Sequence, residues 1–170
     1  DFLGGAGERG VPWLDSMAVS PDGQWVYLSQ ASEPVRKTTG HAVYRVKWTD
    51  KSLGEPFVGR ATTASDETGF NDPQGIAVDK AGNLYVCDWG NNRVVVYSPE
   101  ARRLGEFAVD NPEQIAVHPA SGVIYVVSRA KDPKYRRPAA DTLLRKFAAW
   151  SGSPFSPSAA SSERARRFSI

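Results

Sequence analysis

The feature that most constrains this chain is a strand–turn–strand pattern that occurs three times. Ser16-Met17-Ala18-Val19-Ser20-Pro21-Asp22-Gly23 runs on into Trp25-Val26-Tyr27-Leu28. Gly75-Ile76-Ala77-Val78-Asp79-Lys80-Ala81-Gly82 runs on into Leu84-Tyr85-Val86, and Gln114-Ile115-Ala116-Val117-His118-Pro119 into Gly122 and Ile124-Tyr125-Val126. In each copy a short apolar strand carries Ala at its middle, small enough to pack where strands crowd. A tight turn closing on Gly follows, because the return of the chain needs a residue at ease with positive φ. The next strand mixes aromatic and β-branched residues, which suit a pleated, packed surface. The alignment makes Ala18, Ala77 and Ala116 equivalent, with Val19, Val78 and Val117 beside them, and Tyr27, Tyr85 and Tyr125 equivalent in the second strand. It predicts that the alanines and valines are buried near a common axis.

A third apolar strand follows each pair, at Ala42 to Trp48, Arg93 to Tyr97 and Thr142 to Phe147, and weaker fourth strands are readable at Glu55 to Val58 and Gly105 to Val109. Four antiparallel strands recurring every ~40 residues are the pattern of a β-propeller blade. The expected fold is all-β, a partial arc of about three four-stranded antiparallel blades over 11–60, 70–109 and 110–150. Helical periodicity of useful length is missing, and Gly or Pro punctuates the chain throughout. Residues 151–170, rich in Ser, Ala and Arg and carrying Pro154 and Pro157, read as a tail or loose end.

Composition excludes little beyond this. The net charge of +2 supplies no overall field to attract nucleic acid. No stretch approaches the ~18 consecutive apolar residues that cross a bilayer as a helix. The single cysteine, Cys87, cannot form an internal disulfide, and its place in Leu84-Tyr85-Val86-Cys87 makes it a packed strand residue.

Residues 70–97 carry a specific resemblance. Phe70-Asn71-Asp72-Pro73-Gln74-Gly75-Ile76-Ala77-Val78-Asp79, Gly82-Asn83-Leu84-Tyr85-Val86 and Asp88-Trp89-Gly90-Asn91-Asn92-Arg93-Val94 resemble a complete NHL repeat. The Gly-rich Phe2 to Gly10 resembles the link that precedes such a repeat. The third unit keeps Asn111-Pro112-Glu113-Gln114-Ile115-Ala116-Val117 but lacks the Asp–Asn–Arg part, and the first unit diverges most. Propellers of this family commonly have six blades. The resemblance therefore implies that an arc of three is completed by the remainder of a longer chain or by a homodimer closing a six-blade ring.

The resemblance also puts the first strand of each blade innermost and one face of the arc in the ligand-binding role. Asp15, Gln74 and Glu113 occupy one ring position around the channel, where oxygen side chains can ligate a hard cation such as Ca²⁺. Gluconolactonase-like and amidating-lyase-like propellers use central metals of this kind. The connectors between second and third strands carry Arg36 and Lys37 in one blade and Arg129, Lys131, Lys134, Tyr135, Arg136 and Arg137 in another. With Trp89 these form a candidate basic face for a protein or a small acidic ligand. Asp88 and Arg93 are spaced for a charge-assisted hydrogen bond that closes the connector. His118 stands at the turn position of Ser20 and Asp79, and His41 has no partner at metal-ligand spacing.

Two functional classes follow. One is a non-catalytic binding module that presents loops on one face to a protein, glycan or small ligand, with no cofactor. The other is a metal-dependent hydrolase or lyase with its site on the channel axis. A purely structural segment of a surface protein is a third possibility, because propellers serve many functions.

Overall fold

The computed structural model describes residues 14–30, 41–60, 62–131, 138–152 and 166–169. They form three antiparallel sheets of four strands each. The first blade contains β1 (Leu14–Val19), β2 (Val26–Gln30), β3 (His41–Val46) and β4 (Val58–Arg60). The middle blade contains β5 (Pro73–Val78), β6 (Leu84–Asp88), β7 (Arg93–Tyr97) and β8 (Arg103–Ala108). The third contains β9 (Pro112–Val117), β10 (Ile124–Lys131), β11 (Pro138–Phe147) and β12 (Arg166–Ser169). Strands follow one another across each sheet, and the innermost strands pack side by side, β1 on β5 and β5 on β9. This is an all-β arc of three propeller blades. The helical element among the described residues is one 3₁₀ turn, Trp89–Asn91. β12 pairs with β11 from Leu144 opposite Arg166 to Asp141 opposite Ser169, a sheet position that the composition of 151–170 does not suggest.

The repeat is realised in register. Ala18 lies opposite Tyr27, Ala77 opposite Tyr85 and Ala116 opposite Tyr125. The three hairpins close alike. Ser20, Asp79 and His118 donate backbone N–H groups to the carbonyls of Trp25, Asn83 and Val123 at 2.9, 3.0 and 2.8 Å. Gly23, Gly82 and Gly122 donate to the carbonyls of Ser20, Asp79 and His118 from φ of 70°, 84° and 72°, the left-handed geometry that favours Gly. His118 is a turn residue, its ring Nδ1 accepting from the Ser121 amide at 3.1 Å.

Strand alternation divides each blade into two faces, and the cores lie between blades. Tyr27, Val43 and Val58 of the first blade pack against Phe70, Ile76, Leu84, Val86, Val95 and Tyr97. The opposite face of the middle blade, with Tyr85, Cys87, Val94 and Val96, packs against Ile124, Val126 and Phe147 of the third. The expected burial of all three alanines and valines needs correction. Ala77 is buried, Ala18 is half-buried and Ala116 is exposed, while Val19 is exposed and Val78 and Val117 are half-buried. Equivalent residues point the same way around the arc. Ala116 therefore faces outward from the third blade and Val19 outward from the first, where no further blade lies among the described residues. Farther from the axis the outward side of the first blade is covered, since Leu28 and Val46 are buried.

Candidate functional site

Each innermost strand has an irregularity at the same place. In β1 the register steps from Leu14 opposite Gln30 to Ser16 opposite Ser29, so Asp15 is the extra residue. In β9 it steps from Pro112 opposite Ser128 to Gln114 opposite Val127, so Glu113 is the extra residue. In β5 it steps from Pro73 opposite Asp88 to Ile76 opposite Val86, leaving Gln74 and Gly75 against Cys87 alone. The three ring positions read from the sequence thus fall on three β-bulges, which bend a strand and re-aim its side chain. Beside them lies an open cleft of about 440 Å³ whose lining comes from all three inner strands, including Ser16, Met17, Gln74, Glu113, Gln114 and Ile115.

Close strand approach shapes this cleft. A Cβ on Gly75 would lie 2.7 Å from both Gln114 Cα and the Glu113 carbonyl oxygen, so β5 and β9 meet this closely only because residue 75 has no side chain. On the other side the Ser29 hydroxyl of β2 donates to the Gln74 carbonyl at 2.6 Å, and the Ile76 amide donates to Ser16 Oγ at 3.3 Å.

The two described ring side chains already have partners. Gln74 Nε2 donates to Asp72 Oδ1 at 2.8 Å. Glu113 pairs with Arg129, Nε to Oε2 at 3.3 Å and Nη1 to Oε1 at 3.5 Å. Asp15 is described in its backbone only. As folded, the one described carboxylate of the ring, Glu113, is engaged by a guanidinium rather than free for a hard cation. No group of three His, Cys, Asp or Glu side chains converges among the described residues.

Of the basic face, the fold brings Trp89 and Arg129 together. Trp89 Nε1 donates to the Arg129 carbonyl at 3.3 Å, and the Trp89 amide donates to the Asp72 carbonyl at 3.3 Å, two residues before Gln74. Arg129 therefore joins Trp89, through its carbonyl, to Glu113, which lines the cleft. Lys131 lies on β10 opposite Pro138. Arg36, Lys37, Lys134, Tyr135, Arg136 and Arg137 fall outside the described residues.

Next to Trp89 in the chain stands a buried clamp. Asp88, fully buried, accepts from the Asn71 amide at 2.7 Å through Oδ1, and from Asn91 Nδ2 at 2.8 Å and Arg93 Nε at 2.7 Å through Oδ2. The rest of the Arg93 guanidinium donates to Glu106 Oε2 and to the carbonyls of Asp66 and Gly69, each at 2.9 Å. Burial pushes the Asp88 pKa upward, and the Asn71, Asn91 and Arg93 donors pull against it. A Cβ on Gly90 would meet the Asn71 side chain at 2.4 Å, so the turn carrying Trp89 lies directly on the link between blades.

Residues 70–97, which contain Asn71, Asp88, Asn91 and Arg93 of this clamp, match the NHL repeat family. The chain carries an NHL repeat in a β-propeller arc. Over 63 residues it is 36% identical to a PE-PGRS family protein of Mycobacterium tuberculosis, a stretch covering 36% of this chain and 14% of the relative. Among solved structures, a luciferin-regenerating enzyme superposes with a TM-score of 0.57 at 18% identity, over 84% of this chain and 47% of that one. A gluconolactonase from Xanthomonas campestris superposes with a TM-score of 0.51 at 19% identity, over 69% and 35%. At these identities the likeness is one of fold. The chain spans less than half the length of each of these proteins.

Asp88, Asn91 and Arg93 of the matched repeat hold the scaffold, while the cleft draws on Gln74, Gly75 and Ile76 of that repeat and on the inner strands of the two flanking blades. Cys87 is fully buried and its thiol pKa is pushed up by that burial, so it behaves as a packed strand residue. Three contributors escaped the sequence reading: Ser29, which ties the first blade to Gln74; Gly75, whose missing Cβ permits the cleft; and His41, buried at the start of β3. Only Gly75 left a signal, as a glycine inside a strand pattern.

Proposed function

We propose that this chain is a non-catalytic binding module whose axial cleft receives a small hydroxyl- or carboxylate-bearing ligand, or a loop of a partner that carries such groups. The observation behind this reading is the alignment of three bulges at one register around a cleft. There amide and hydroxyl groups of Ser16, Gln74 and Gln114 stand beside apolar Met17 and Ile115, with Arg129 next to Glu113. Bulges break the ladder where a strand must offer groups to something other than its neighbour. A mixed polar and apolar concavity on a rigid sheet frame is the usual form of a small-ligand site.

The test is amide NMR of the protein titrated with neutral sugars, sugar acids and short acidic peptides, with product analysis of each sample. Saturable shifts on Ser16, Gln74, Gly75, Glu113 and Gln114 with the ligand recovered unchanged support the proposal. Shifts confined to other regions overturn it. Turnover of a lactone that depends on added Ca²⁺ overturns it in favour of the metal-dependent hydrolase or lyase.

A further inference from the structure

The link between the first and middle blades turns on two consecutive backbone amides. The Asn71 amide donates to the carboxylate of Asp88, in the middle blade. The Asp72 amide donates at 3.0 Å to Nδ1 of His41, in the first blade. On its other side, His41 Nε2 lies 2.7 Å from Thr63 Oγ1. Because Nδ1 accepts, the imidazole proton is on Nε2 and the ring is neutral. His41 is 6% exposed, and Asp72 adopts φ of 59°, a left-handed conformation that this pair of amide bonds holds in place. Asp72 in turn accepts from Gln74 Nε2 at 2.8 Å, which connects the link to the axial cleft.

We propose that His41 is an acid-operated latch between the first two blades: neutral, it holds the Asp72 amide, and protonated, it releases the link that sets Gln74 at the cleft. A protonated ring has donors on both nitrogens, so Nδ1–H would confront the Asp72 N–H and leave a buried donor without an acceptor. The surroundings are mixed in charge. The Asp72 and Asp88 carboxylates favour the imidazolium, but Asp88 is committed to Arg93, and Arg60, paired in register with His41 on β4, is engaged by Asp66. Burial outweighs the two carboxylates and holds the imidazole below its ordinary value of 6.5. The sign follows from this direction. An unfolded His41 takes up its proton near 6.5, while the folded one resists until lower pH. The latch is therefore complete above that value and weakens as pH falls through it toward the folded pKa. His118, the other histidine, lies exposed in a hairpin turn away from the link.

The experiment is amide hydrogen exchange of Asp72 between pH 7.5 and 5.5, corrected for intrinsic rate, in the wild-type protein and in His41→Asn, whose side-chain oxygen can accept the same amide but does not titrate. Between about 6.5, where an exposed His41 takes up its proton, and the lower folded pKa, wild-type protection should fall by up to about tenfold per pH unit, the Gln74 side-chain amide shifting in parallel. His41→Asn should keep Asp72 protected across the range. Constant wild-type protection down to pH 5.5, or an unaltered pH dependence in His41→Asn, overturns the proposal. Should the variant not fold, imidazole ¹⁵N shifts of the wild-type protein decide the matter. A neutral Nε2–H tautomer whose loss coincides with the Asp72 change supports the latch. An Nδ1–H tautomer, or a ring already charged at pH 7.5, overturns it.

Discussion

The middle and third blades carry the same sequence pattern in the same register, yet it does different work in each. Tyr85 and Tyr125 stand opposite equivalent alanines, but Tyr85 is 1% exposed and Tyr125 36%. Asp88 and Ser128 both pair with the proline that opens the inner strand of their blade. Around Asp88 the fold builds a buried ion pair with every guanidinium nitrogen engaged. Around Ser128 it builds a looser one, in which Arg145 donates to Ser128 Oγ at 2.6 Å and pairs at 3.2 Å with Asp110, whose side chain is 84% exposed. A repeat thus specifies strands and register, while burial and the worth of a contact come from the neighbouring blade. The middle blade has a neighbour on both faces.

The sharpest contrast is between the two ion pairs. Arg93→Ala leaves Asp88 charged, buried and short of a partner, and should cost about 3–5 kcal/mol in urea unfolding. Arg145→Ala removes a pair that water already screens and should cost about 1 kcal/mol or less. Similar losses would mean that the clamp is not the special feature of the middle blade.

A second contrast concerns the tyrosines. Tyr85→Ala empties the core between the middle and third blades and removes the hydroxyl that donates to Asp79 at 3.0 Å. A loss of about 3 kcal/mol or more is expected, against under about 1 kcal/mol for Tyr125→Ala. A large loss at Tyr125 would show its outward face to be packed.

Much of this was legible beforehand, for physical reasons. Period-two alternation and Gly-closed turns are local, so strands, hairpins and the equivalence of Ala18, Ala77 and Ala116 could be read directly. The turn role of His118 and the pairing of Asp88 with Arg93 were legible for the same reason. Non-local facts were not. The exposure of Ala116 and Val19 depends on which blade lies beyond them. The union of Glu113 with Arg129 depends on where β10 ends relative to the bulge in β9. The burial of His41 depends on a link thirty-one residues away in the chain. β12 was hidden because a short outer strand of Arg166, Arg167, Phe168 and Ser169 carries no alternation distinct from its polar surroundings.

The smallest expected contrast lies at the cleft. Gly75→Ala sets a methyl group against the β9 backbone and should cost about 1–3 kcal/mol, displacing the bulge resonances. Gln114→Ala, at the equivalent position of the third blade, should stay within about 0.5 kcal/mol of wild type. Equal tolerance at both positions would mean that β5 and β9 do not approach as closely as described.

The claim that neighbouring blades decide burial is tested most directly by native-state hydrogen exchange resolved strand by strand. The amides of Val86, Cys87, Val94, Val95 and Val96 should exchange only through global unfolding, while those of Tyr125 and Val127 in β10 exchange through smaller openings at least about tenfold more readily. Equal protection in β6 and β10, or slower exchange in β10, would contradict the account.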